Sequence, residues 1–110
     1  MAPTAASGTS TYRSAATSLK SLRDCSYHLL WTGTVTGTWQ VWVSNVITPT
    51  IADETDWVLL TLAGPIAQPA GAAGKEVVDL AMLPFGWVKA VYVNASGTGN
   101  VSAMLTGKGF

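Results

Sequence analysis

From Tyr27 onward the sequence is cut into short runs by Gly, Pro, Asn and Asp, and the runs between the cuts are rich in Val, Leu, Trp, Tyr and Thr. A helix that buries one face needs about ten uninterrupted residues, whereas a strand needs roughly four to eight, so this punctuation leaves strands as the repeating element. The runs read as strands are Tyr27–Thr32, Thr38–Ser44, Trp57–Leu62, Lys75–Leu80, Trp87–Asn94 and Asn100–Thr106. GTVTG after the first is short enough for a hairpin or a strand pair, and ASGTG after the fifth reads as a hairpin loop. GPIAQPAGAAG, before Lys75, holds too much Gly and Pro for a regular element. The spacing predicts an all-β domain, a two-sheet antiparallel β-sandwich with the jelly roll as one form of it.

Alternation within the runs predicts which faces are covered. Trp39, Val41 and Val43 share one side of their strand and Gln40, Trp42 and Ser44 the other; Val88, Ala90 and Tyr92 oppose Trp87, Lys89 and Val91. Neither split is cleanly apolar against polar, and a strand apolar on both faces is buried on both, by a second layer or by a partner subunit.

The first residues differ in kind. Met1 to Ser18 is mostly Ala, Ser, Thr and Gly, a composition with too little apolar surface to fold alone. Residues 1–22 are therefore expected to form an extended N-terminal arm, and residues 23–110 the sandwich. Ser14–Leu22 is expected as an edge strand rather than a helical turn. A neighbouring subunit is the expected anchor for the arm, the other reading being an arm folded back on its own domain.

A chain of 110 residues is one domain and buries only about 60–70% of its unfolded surface. Its composition is 48% hydrophobic and 11% charged, with six basic against six acidic residues. Zero net charge gives it no electrostatic attraction to nucleic acid or to an anionic membrane. Globular domains usually carry about 25% charged residues, so a surface this poor in charge is expected to be covered in an assembly. The start has neither a basic n-region nor an apolar h-region, and no run approaches the ~20 apolar residues of a membrane helix.

The inventory for chemistry is thin. Cys25 is the one cysteine, expected as a buried thiol, and His28 is the one histidine. Asp24 and Ser26 fall on the His28 face of the strand, but a structural histidine is the expectation. Asp53, Glu54 and Asp56 could offer oxygens to calcium, yet IADETDW lacks the glycine and register of an EF-hand loop and reads as a solvated turn. The sequons Asn94-Ala95-Ser96 and Asn100-Val101-Ser102 lack a secretory route, and ASGTGN lacks the Lys-Ser/Thr ending of a phosphate loop. No catalytic, cofactor-binding or metal-binding residues are assigned.

Five tryptophans in a chain this short are more informative. Trp39 and Trp57 are expected in the core, while Trp42 alternates out of it, and indoles are favoured where an apolar body meets a partner. The candidate partner-binding residues are Tyr12 and Arg13 in the arm, Trp42, Trp87 and the terminal Phe110. A sugar-binding module would use the same indoles, stacked on pyranose rings beside Asp, Asn or Gln.

The order of features GTVTGTWQVWVSN, then a loop ending in DW, then LPFGWVKAVYVNASGTGNVSAMLTGKGF resembles small structural proteins of bacteriophage virions. The residues that carry the resemblance are Gly37, Thr38, Val41, Val43, Ser44, Asn45, Trp57, Val88, Tyr92, Ser96, Gly97, Gly99, Lys108 and Gly109. Lys89, in the strand that starts at Trp87, departs from the pattern, and the arm lies outside it. The resemblance implies a capsid decoration or cement protein located in the virion. Its expected partners are the major capsid protein or other virion proteins, and its own copies as a homo-oligomer, a trimer by expectation. A receptor-binding module of a tail or fibre, or a head-to-tail connector, are the other classes.

Overall fold

The structure, a computed structural model, describes residues 1–20, 22–61, 68–81 and 85–109. The described residues form nine strands: β1 Thr4–Ser7, β2 Ser10–Arg13, β3 Thr17–Ser18, β4 Leu22–Trp31, β5 Thr36–Ser44, β6 Val58–Leu59, β7 Gly74–Ala81, β8 Trp87–Ser96 and β9 Thr98–Gly109. Every pairing is antiparallel. One sheet has the order β1-β9-β4-β7; the other has β2-β8-β5-β6, with β3 also on β8. The two sheets enclose one core, so the chain is the all-β sandwich that its strand spacing predicts.

The two glycine-bearing connections are not hairpins. β4 and β5 belong to different sheets, and so do β8 and β9. Pairing nevertheless continues across both crossings: β4 lies on β9, β5 lies on β8, and between them Thr32 N–H donates to Asn100 O (2.9 Å) and Thr34 N–H to Thr98 O (2.8 Å). β1 and β2 follow the same course, β1 along β9 and β2 along β8. Three strand pairs thus bend from one sheet into the other at a common corner, where Gly8, Gly33 and Gly97 have φ of 59°, 77° and 79°. Asn94, fully buried, ties the corner together. Its Nδ2 donates to Gly8 O (2.8 Å) and Gly97 O (3.2 Å), and its Oδ1 accepts from Tyr92 Oη (2.9 Å). A side chain held this way leaves no room for a glycan, so the first sequon is a structural asparagine.

The described residues of the segment 1–20 supply β1, β2 and β3, which are laid along the domain's own sheets. Ala6 and Leu19 enter the core, and Ser14 is buried between β2 and β3, where its N–H donates to Ala90 O (2.9 Å) and its Oγ accepts from Ala90 N–H (2.8 Å). The physical reason lies in β8 and β9. Both would otherwise show water a long row of unpaired N–H and C=O groups, and the arm satisfies that edge by backbone pairing, which needs no apolar composition.

The core follows the alternation. Trp39, Val41 and Val43 are buried with Val88, Ala90 and Tyr92, and Trp31 joins them from β4. The Trp39 and Tyr92 rings meet at 4.9 Å between centroids. Of the expected strand Trp57–Leu62, Val58 and Leu59 are the residues that pair among those described, and both side chains are exposed; Leu62 lies outside the described residues. Beside it Gln68 takes up the backbone of Trp39, accepting from its N–H (2.6 Å) and donating to its carbonyl (3.3 Å).

Tyr27 gives the core an alkaline limit. Burial pushes its phenol from 10 up to about 12. In that interval the unfolded chain gives up the proton and the folded chain keeps it, so stability present below pH 10 is lost as pH rises, by about 2–3 kcal/mol. Stabilities from urea unfolding near pH 9 and near pH 11.5 are expected to differ by about 2 kcal/mol for the native chain and by much less for Tyr27→Phe.

Candidate functional site

The outward side of β8 is covered, as its apolar pattern requires, and the cover comes from the same chain. Loop 45–57, between β5 and β6, folds back over Lys89, which is fully buried, and Val91 on the same side of β8 is buried too. The loop is held at its ends by Ser44, whose Oγ donates to Asp56 O (2.7 Å) and accepts from Val46 N–H (3.0 Å). Within it Asp56 Oδ2 accepts from Thr50 N–H (2.9 Å), and Trp57 Nε1 donates to Thr50 O (2.7 Å).

Beneath the loop lies an ionic cluster. Lys89 Nζ donates to the carbonyls of Asp53 (2.9 Å) and Ile51 (3.3 Å) and to Glu54 Oε1 (3.3 Å), and it stands 4.6 Å from the centre of the Trp57 ring. Glu54 also receives Arg13 through two parallel bonds, Nε to Oε1 at 2.8 Å and Nη2 to Oε2 at 3.0 Å. The Arg13 hydrogen bonds hold the Glu54 carboxyl below its usual range, with Lys89 adding to them, while desolvation pulls the Lys89 ammonium below its own. The acidic loop therefore spends its oxygens internally: Asp53 Oδ1 accepts from Thr55 N–H (2.9 Å), Glu54 binds two cations and Asp56 caps Thr50. Among the described residues no group of three or more His, Cys, Asp or Glu side chains converges on a common point.

Two surfaces outside this cluster expose large apolar side chains. The first surrounds loop 45–57 and β6, where Val46, Ile47, Ile51, Val58 and Leu59 face solvent, Ile47 with 90% of its surface. A groove of about 540 Å³ runs beside them, lined by Val43, Val46, Val58, Leu60 and Phe85 among others. The second is the outer face of the β1-β9-β4-β7 sheet. There His28 is exposed between its cross-strand neighbours Val77 and Met104, which are 59% and 60% exposed, with Leu30 one step along β4. His28 thus shares its face with Ser26 and Asp24, but its lateral neighbours are apolar.

The residues singled out from sequence are dispersed. Tyr12 is half-buried, its ring stacked on Tyr92 at 6.5 Å and its Oη accepting from Ser7 N–H (3.1 Å). Arg13 is engaged by Glu54. Trp42 is half-buried on the outward side of β5, its Nε1 donating to Gln40 Oε1 (3.1 Å), and Trp87 is half-buried opposite Ser44. Phe110 lies outside the described residues. Cys25 is a buried free thiol, raised by desolvation, and Trp39 and Trp57 are both buried as expected. Sequence reasoning missed Leu30, Val77 and Met104; their signal was that each falls out of phase with the core positions beside it.

No protein-family model, no curated protein and no solved structure matches this chain. Among the described residues no helix is long and apolar enough to cross a membrane.

Proposed function

We propose that the chain is a structural subunit of a bacteriophage particle, a capsid decoration or cement protein that stabilises the shell by contact rather than by chemistry. The observation that carries this reading is the strand order. β1-β9-β4-β7 facing β2-β8-β5-β6, with strand pairs that bend together from sheet to sheet, supports reading the sandwich as a jelly roll, an architecture used by viral capsid and lectin domains. The exposed apolar side chains around β6 fit the same role. Buried against a shell, such surface contributes about 25 cal/mol per Å², repeated at every copy. Its partners are then the major capsid protein or other virion proteins.

Gradient-purified particles from cells that carry the gene, probed with an antibody against the chain, are expected to hold it in the particle band. Particles made without it are expected to lose their genome at lower temperature. Absence from the band overturns the proposal. Binding to immobilised glycans that Trp42→Ala abolishes would instead assign the chain to the sugar-binding class, since Trp42 beside Gln40 is the one half-open indole with an amide bonded to it.

A further inference from the structure

We propose that the outer face of the β1-β9-β4-β7 sheet pairs two copies of this chain about a two-fold axis. The face carries a row of Met104, His28 and Val77 across β9, β4 and β7, with no layer of described residues over it. Two opposite charges on β7 are placed symmetrically about that row, with Asp24 of β4 near one of them. On β7, Lys75 and Asp79 are both exposed and stand two residues to either side of Val77, which is about 6.6 Å in each direction along a strand.

A two-fold axis lying along the row, between two such faces, reverses strand direction while keeping each strand opposite its own copy. Val77, His28 and Met104 then meet their counterparts, and each Lys75 meets Asp79 of the second copy, giving two identical ion pairs around an apolar centre. This is the isologous form of contact that most homodimers use. From strand spacing and rise the three strands of the row measure roughly 480 Å² per copy and about 960 Å² for the pair, at the lower limit of ~1,000 Å² for a specific interface, so the dimer is weak and exchanges with monomer. The contact relates copies in pairs, in place of the trimer that the virion resemblance implies. It goes beyond the functional proposal and does not depend on it.

Sedimentation velocity of the full chain over a concentration series is expected to show a monomer–dimer equilibrium. Lys75→Glu and Asp79→Lys each set like charges opposite one another and are expected to weaken dimerisation by about tenfold or more. Combined, they exchange the two ends of the pair and are expected to return the affinity to within about threefold of the native value. Val77→Arg, on the axis, is expected to abolish pairing. All four variants are at exposed positions, and their circular dichroism spectra are expected to match the native chain. The proposal is overturned by a native chain that stays monomeric to about 1 mM, by an odd-numbered oligomer, or by a double variant that does not recover what the single variants lose. None of these outcomes involves a particle or a glycan, so failure here and failure of the particle assay are separate results.

Discussion

Gly97→Ala is expected to cost about 3–5 kcal/mol, enough to unfold much of a domain whose whole stability is on the order of 5–15 kcal/mol. Two effects add at this position. The backbone is in the left-handed region, at φ 79°, and a methyl group there would fall inside contact distance of Thr34 O, a backbone atom that cannot swing aside. Gly8 separates the two effects, because its φ is 59° but a methyl group would point into open space. Gly8→Ala is therefore expected to cost only about 1 kcal/mol, the backbone penalty alone. Urea midpoints of the two variants test this directly. Equal losses would mean that the corner is not crowded where β8 turns into β9.

The second large effect is expected at Glu54. Glu54→Gln leaves Arg13 and Lys89 facing an uncharged amide, with Lys89 still fully buried. Stranding one partner of a buried pair costs about 3–5 kcal/mol, and partial exposure of Glu54 reduces the expectation here to about 2–3 kcal/mol. Lys89→Met behaves differently, since it removes the buried charge, keeps the stem against Trp57 and leaves Glu54 its bond with Arg13. That variant is expected to stay within about 1 kcal/mol of the native chain, and the double variant to be more stable than Glu54→Gln alone. The pH profile carries the same information. The Glu54 carboxyl is depressed in the fold, so its contribution is present above the unfolded carboxyl value and is lost as pH falls through the folded one. Glu54→Gln should flatten the acid side of the profile of urea midpoint against pH, and an unchanged acid side would remove the cluster from the account of loop 45–57.

The strands were legible because their signal is local. TWQVWVS buries Trp39, Val41 and Val43 as its alternation predicts, and WVKAVYVN announces cover on both faces. What covers β8 was not legible, since the loop contributes its carbonyls to Lys89, and carbonyls leave no mark in a sequence. The sheet crossings were hidden for a related reason. A hairpin and a bent crossing both call for glycine at positive φ, so GTVTG and ASGTG read the same either way. Residues 1–22 misled through composition, which measures how much apolar surface a segment can bury but not whether an unpaired strand edge awaits it. Of the candidate surfaces, the indole Trp42 was visible in the pattern. The face around His28 was not, because KEVVDL places Val77 and Val78 side by side and only the register shows which of them turns outward.

The place of β8 and β9 within their sheets also governs when the protein can form at all. β9 lies between β1 and β4, and β8 between β2 and β5, so the two strands made after the other seven among the described residues are the middle ones of their neighbourhoods. Thr4 finds its partner at Val101 and Ser10 at Asn94. Until those residues have left the ribosome, β1 and β2 lack their partner strands, β4 has only β7 and β5 only β6, and each presents an open edge. Chains dominated by such distant pairings fold in roughly milliseconds to seconds rather than microseconds. Completion of the sandwich therefore waits for β8 and β9, and a nascent chain whose β9 is delayed can accept the same strand from a neighbour.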